Sequence, residues 1–310
     1  MTATIELSST DRALGALYGL AIGDALGMPA QELDRARAHE ILGMPPDFRA
    51  GPEDNPIARG LPAGSVTDDT MQCVLVAELL VDGAGVIAPR ALADALMRWE
   101  REMARRGRTE LLGPSTRRAL AALRLGHDPS ATGTAGTTNG AAMRIAPVGI
   151  ATPLERLLDA VVAADRVTHD TPIAHAGAAV VATVVSAGVG GAGFSEAAPL
   201  AIEAASRFGF AELFEDAVAN GSLRTGVEAA ESVPTAFSIA SRWPDDAWAA
   251  SAYAAALGGD TDTIAAMAGA MVGACTGRSA LPVNAVRKVR DVNSLDFEPL
   301  VERLLALRNR

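Results

Sequence analysis

Leu14-Gly15-Ala16-Leu17-Tyr18-Gly19-Leu20-Ala21-Ile22-Gly23-Asp24 reads as one helix with two unlike sides. Leu14, Leu17, Tyr18, Ala21, Ile22 and Ala25 recur at helical spacing, and Ser9-Thr10-Asp11 supplies capping side chains ahead of them. Glycines stand at 15, 19 and 23, one every four residues. Each costs an isolated helix about 1 kcal/mol relative to alanine, so such a stripe belongs where a second helix packs closely. Asp24 lies in an otherwise apolar run, where a charge has to be partnered or face a cleft at the helix end. Gly27-Met28-Pro29 then stops the helix, and Gln31-Glu32 follows at once.

Composition extends that reading to the whole chain. Of 310 residues 49% are hydrophobic but only 4% aromatic, so the core has to be built from Ala, Leu, Val, Ile and Gly, which let helices approach closely. Alternating strand patterns, periodic repeats and clean linkers are not evident. The expected fold is all-α, a compact multi-helix single domain over 1–310. A net charge of −10 opposes nucleic acid and anionic membranes as partners. Cys73 and Cys275 have no paired spacing, so neither a disulfide framework nor a zinc cluster is implied. The N-terminus, with Glu6 and Asp11, lacks a signal-peptide pattern and makes the cytoplasm the default. Ala176 to Phe194 is uncharged and long enough to invite a membrane-span reading. Gly188, Gly190, Gly191 and Gly193 break it early, which fits a buried helix better.

Further helices are expected after Thr67, near Ala88–Met103, from Pro114 to Leu125, and over Pro153–Val167 and Ser195–Phe208. Others follow at Leu223–Ser232, Thr235–Arg242, Asp245–Leu257, Ile264–Cys275, Val283–Val292 and Phe297–Leu307. Gly43 to Gly64, with five prolines, reads as an ordered loop laid over a pocket.

Two acidic-hydroxyl clusters then stand out: Thr67-Asp68-Asp69-Thr70 and Gly258-Gly259-Asp260-Thr261-Asp262-Thr263. Each follows a glycine-containing approach and leads into an apolar helix, so each can be read as a helix cap. If they meet in the fold, four carboxylates share one pocket and need protons or cations to offset their repulsion. All candidate ligands are oxygen, which selects Mg²⁺, Mn²⁺ or Ca²⁺ over zinc. A calcium EF-hand is excluded. With Asp260 as loop position 1, Ile264 falls at 5, Ala265 at 6 and Met271 at 12, where oxygen ligands and glycine are required.

A third polar stretch, Gly133-Thr134-Ala135-Gly136-Thr137-Thr138-Asn139-Gly140, runs towards Met143-Arg144. It suggests backbone N–H groups cradling a diphosphate or sugar; the plainer alternative is a turn at Asn139-Gly140 with Arg144 as a solvated cation. His169 and His175 are six apart, off the spacing of a helical metal pair, and His169 alone reads as a capping or packing residue.

Taken in order, these motifs make the chain resemble the ADP-ribosylglycohydrolase family, which includes the dinitrogenase-reductase-activating glycohydrolase and the ADP-ribosyl-acceptor hydrolases. The resemblance rests on Gly19 to Gly27, Thr67 to Thr70, Thr138 to Arg144, Thr168-His169 and Gly258 to Thr263. It implies a hydrolase with two divalent cations, Mg²⁺ or Mn²⁺, held by Thr67, Asp68, Asp69, Asp260, Asp262 and Thr263. It further implies that Thr138, Asn139, Gly140 and His169 contact the substrate, and cleavage of an N- or O-glycosidic bond at ribose C1 of an ADP-ribosyl adduct. Asp68 or Asp69 is the candidate base. The family usually carries Glu where this chain has Gln31, which cannot act as a base: either Glu32 substitutes for it, or Asp68 or Asp69 suffices, or activity on ADP-ribosylated proteins is reduced. The alternatives are a hydrolase of a small ribosyl compound or nucleoside, and a catalytically silent ADP-ribose-binding protein. The expected partner is small-molecule or protein-linked ADP-ribose, with the chain acting as a monomer.

Overall fold

The computed structural model describes residues 7–108, 112–221 and 223–310; Glu6, used above to read the N-terminus, lies outside them. Among the described residues the regular structure is helical, apart from two isolated β-bridges. In chain order the α-helices are α1 (Ser9–Gly27), α2 (Arg35–Leu42), α3 (Asp68–Asp82), α4 (Pro89–Arg105) and α5 (Pro114–Arg124). There follow α6 (Ala146–Ala151), α7 (Leu154–Asp165), α8 (Pro172–Val189), α9 (Phe194–Ser206) and α10 (Ala211–Asn220). The last five are α11 (Ala229–Arg242), α12 (Ala247–Ala255), α13 (Thr261–Thr276), α14 (Val283–Asn293) and α15 (Glu298–Arg308).

The glycine stripe of α1 finds its partner in α13. A Cβ on Gly15 would sit 2.1 Å from the Gly273 carbonyl oxygen, one on Gly19 2.2 Å from that of Gly269, and one on Gly23 2.1 Å from that of Ala265. On Gly27 it would lie 2.4 Å from Asp262 Cα. The numbers rise on one helix and fall on the other, so the two run antiparallel, backbone against backbone. The seam brings the C-terminal end of α1, with Asp24, beside the N-terminal end of α13, with Asp262. One contiguous apolar core surrounds this pair, with α8 and α12 packed against α13.

Two helices, Ser9–Ala30 and Pro172–Val189, are long and apolar enough to cross a membrane, yet 100% and 89% of the 18-residue apolar window in each is buried inside the fold. Their apolar character is that of core helices. The Gly43–Thr67 segment carries no helix or strand. Asn55 organises it, donating through Nδ2 to the Gln31 carbonyl and accepting at Oδ1 from the N–H groups of Ile57 and Ala58.

The helix expected over Leu223–Ser232 is corrected. Residues 223–228 are not helical: Asn139 N–H donates to the Val227 carbonyl and Ala229 N–H to the Thr137 carbonyl, bridging Glu228 to Thr138. Helix α11 starts only at Ala229 and runs without a break through Pro234, so Ser232 and Thr235 share one helix. Helices α2, α6 and α10 had no sequence signal. Only Ala38 and Leu42 are buried in α2 and only Phe214 and Ala217 in α10, while α6 is buried on every side. None of these shows the one-sided apolar spacing by which a helix is recognised.

Candidate active site

The two acidic clusters meet. Asp68 and Asp69 open α3, Asp260 precedes α13 and Asp262 lies in its first turn. Gly258 and Gly259, at φ 82° and 80°, make the left-handed turn that delivers Asp260. That turn is held from outside. Glu32 N–H donates to the Gly259 carbonyl at 2.8 Å, Gly259 N–H to the Leu33 carbonyl at 2.7 Å, and Asp260 N–H to the Thr225 carbonyl at 2.8 Å.

Asp24 is fully buried and binds the start of α3 from a different helix. It accepts from Thr67 N–H at 2.9 Å, Thr67 Oγ1 at 2.9 Å, Thr70 N–H at 3.1 Å and Thr70 Oγ1 at 2.5 Å. Thr67 occupies the N-cap position without making a capping bond, so Asp24 satisfies the free N–H groups in its place. The Thr67 hydroxyl also stands 3.1 Å from Asp69 Oδ2 and 3.3 Å from Asp262 Oδ2. One hydroxyl has one proton, so it cannot serve three carboxylates. Asp69 Oδ1 is buried with no hydrogen-bond partner among the described residues.

Carboxylate oxygens of Asp24, Asp69 and Asp262 lie within 4.8 Å of one another. Burial, partly offset by the Thr67 and Thr70 hydrogen bonds, lifts the Asp24 carboxyl to about 6. Burial, with the Glu32 charge adding to it, lifts Asp260 to about 7. Asp68, Asp69 and Asp262 are pushed well above the ordinary range, first by burial and then by the charges of neighbouring aspartates, Asp24 and Asp260 among them in each case. An all-oxygen set with an orphaned carboxylate oxygen fits hard divalent cations.

A cavity of about 370 Å³ opens over this floor. Asp68, Asp260 and Thr263 line its base, Gln31 and Glu32 one side, and Thr116, Arg117, Thr138, Asn139 and Gly140 the other. Larger cavities of about 720 and 930 Å³ lie elsewhere and include none of the five aspartates. Ile57, from the proline-rich segment, also lines the site. Glu32 is exposed at φ 62°, and Gln31 Oε1 is buried without a partner.

Three sequence expectations change here. The N–H groups of Thr138 and Asn139 are already donated, to Ser115 Oγ and the Val227 carbonyl, so these two residues offer side chains where a backbone cradle was expected. Asn139 Nδ2 donates to both Ser232 Oγ and Asp260 Oδ2, tying that wall to the acidic floor. Arg144 is 1% exposed, a core residue where a solvated one was the plain alternative. His169 is fully buried one layer behind Thr138 and Gly140 and does not line the cavity. Thr70, Gln72, Thr116, Arg117 and Ser232 had not been singled out by role. Asp24 alone among the unassigned residues carried a signal, a charge in an apolar run.

The ADP-ribosylglycohydrolase family profile matches residues 5–310. The uncharacterized protein YegU of Escherichia coli is 31% identical over 329 residues, covering 97% of this chain and 98% of that protein. The ADP-ribosylarginine hydrolase Tri1 of Pseudomonas putida is 39% identical over 151 residues, 45% of this chain and 36% of its own length. The ADP-ribosyl-[dinitrogen reductase] glycohydrolase of Rhodospirillum rubrum is 30% identical over 191 residues, 59% of this chain and 60% of its own. A solved structure described as an ADP-ribosylglycohydrolase-related protein complex superposes with a TM-score of 0.73 at 29% identity, covering 97% of this chain and 99% of that one. Agreement of the profile along nearly the whole chain with a shared fold and an acidic centre leaves one conclusion: the chain belongs to the ADP-ribosylglycohydrolase family.

Proposed function

We propose that the protein cleaves the N- or O-glycosidic bond at ribose C1 of ADP-ribosyl adducts, acting as a single-domain monomer in the cytoplasm. The observation that carries this reading is the convergence of buried aspartates from α1, α3 and α13 beneath one cavity. Thr67, Asp68, Asp69, Asp260, Asp262 and Thr263 would hold two divalent cations, Mg²⁺ or Mn²⁺. Asp24 lies within reach of the same ions, but both of its oxygens are engaged by Thr67 and Thr70, so its part is to fix the start of α3. When bound, such cations supply positive charge against ribose hydroxyls and a more acidic water.

The protein's own groups supply the rest. Departure of the leaving group puts oxocarbenium-like charge on the sugar, and the carboxylates of the floor stabilise it. Asp68 faces the cavity while Asp69 is shut behind it, so Asp68 is the better placed of the two to take a proton from the attacking water. Glu32, an exposed carboxylate beside Asp260, is the second acceptor, and Gln31 can orient but not deprotonate. Arg117, the basic residue on the wall, suits a diphosphate. Asn139 and Gly140 complete the substrate-facing side.

Incubation with ADP-ribosylarginyl protein and Mg²⁺ should release ADP-ribose. A nucleoside panel tests the second reading, which the uncharged Gln31 favours; turnover of nucleosides alone would overturn the adduct assignment. ADP-ribose binding without product on either substrate would leave only a silent binding protein.

A further inference from the structure

Behind the cavity wall runs a continuous chain of buried polar side chains: Asp68, Gln72, Arg144, Thr168, His169 and Thr138. Its two ends, Asp68 and Thr138, line the cavity and the four residues between them do not. Gln72 Nε2 donates to Asp68 Oδ2 at 3.1 Å, and Arg144 donates to Gln72 Oε1 at 2.9 Å. From its other nitrogen Arg144 donates to Thr168 Oγ1 at 2.6 Å. Thr168 Oγ1 lies 2.6 Å from His169 Nδ1, and His169 Nε2 lies 3.1 Å from Thr138 Oγ1.

The proton positions follow from the donor inventory. A guanidinium cannot accept, so the Thr168 hydroxyl proton has His169 Nδ1 as its partner. Nδ1 therefore accepts and the ring proton sits on Nε2. A proton on Nδ1 would leave the Thr168 hydroxyl proton facing another donor in a fully buried site, which is costly. Nε2–H then donates to Thr138 Oγ1, and the Thr138 hydroxyl keeps its own proton for a partner on the cavity side. Gly140 lets the backbone pass over the ring, since a Cβ there would lie 2.9 Å from His169 Cε1. Burial and the Arg144 charge hold the imidazole well below its ordinary pKa, in keeping with a neutral ring.

We propose that Arg144 fixes the direction of this chain and makes Thr138 a one-way donor into the cavity, selecting a ligand that presents an acceptor oxygen there. Arg144, Thr168 and His169 are positioning residues, and Thr138 is the contact. The ligand class rests on the ADP-ribose reading above; the direction of the chain does not.

The test combines ring ¹⁵N NMR with calorimetry. In the wild-type protein His169 should show the Nε2–H tautomer; an Nδ1–H or doubly protonated ring would overturn the proposal. Arg144→Lys, still a pure donor, should keep that signature. Arg144→Gln offers Thr168 an acceptor and should admit the Nδ1–H form; an unchanged Nε2–H ring would remove Arg144 from its role. With ADP-ribose and Mg²⁺ as the probe, Thr138→Val should lose about tenfold in affinity and Thr138→Ser should retain it. Equal binding by Thr138→Val and wild type would overturn the donor assignment. Failure of the wild type to bind ADP-ribose would remove the proposed substrate, while the ring spectrum would still decide the direction. If Arg144→Gln does not fold, the wild-type spectrum and the Thr138 pair suffice.

Discussion

Asp24 and Asp262 share one acidic cluster, but their surroundings give them opposite effects on stability. Asp24 accepts from two backbone N–H groups and two hydroxyls, so Asp24→Asn turns an amide NH₂ towards donors and should destabilise by about 2 kcal/mol. Asp262 is pressed by Asp69, Asp260, Asp24 and Asp68. Asp262→Asn should therefore raise metal-free stability while weakening Mn²⁺ binding at least tenfold. Denaturant melts in chelator and calorimetric titration of Mn²⁺ check the pair; shifts of the same sign in the melts would contradict it. The sequence marked Asp24 as an anomaly and marked Asp68, Asp69, Asp260 and Asp262 as a cluster. It could not reveal Thr67 and Thr70 as the partners of Asp24, because that pairing depends on where α3 begins relative to α1. Arg144 was unreadable for the same reason. Its partners Gln72 and Thr168 are distant in sequence, and a lone arginine after a turn looks solvated.

At the level of elements, the α1–α13 seam makes a sharp demand on side-chain size. Gly19→Ala would drive a methyl into the Gly269 carbonyl, which is backbone and cannot yield, so the substitution should cost about 3 kcal/mol. Gly113→Ala, with open space around it, should change stability by less than about 0.5 kcal/mol. Thermal melts of the two variants check this, and equal melting temperatures would mean the seam is looser than the packing requires. The Gly15, Gly19 and Gly23 stripe announced a close helix partner from sequence alone. What identified α13 was the reciprocal approach of Gly269 and Gly273, a match between distant segments that no local pattern discloses. Helices with a one-sided apolar face were legible to within a few residues, whereas α2, α6 and α10 were silent, being nearly all exposed or all buried.

For the molecule as a whole, the buried carboxyls make metal-free stability depend on pH with a definite sign. Asp24 and Asp260 move from an ordinary 3.8 to about 6 and about 7 in the fold, so the folded state holds their protons more tightly. Their favourable contribution is complete below about pH 4 and disappears as pH rises through those values. For Asp24 alone the swing is on the order of 3 kcal/mol. In chelator the melting temperature should fall from pH 5 to pH 8. Mn²⁺ should raise it more at pH 8 than at pH 5, because protons compete for the same oxygens. Scanning calorimetry at the two pH values tests this; an equal metal effect at both would mean that the cations bind elsewhere. The all-helical class and the acidic centre were visible in composition and motif. Part of the cavity wall was not, because Thr116 and Arg117 are ordinary residues until the fold turns them inward.

The seam also imposes an order on biosynthesis. Asp24 is made well before the backbone it must lie beside, which belongs to α13. Until that later segment emerges, the acidic side chains of α1 and α3 have no shared enclosure with Asp260 and Asp262. A chain truncated before α13 would therefore lose the shared acidic centre together with its central helix pair.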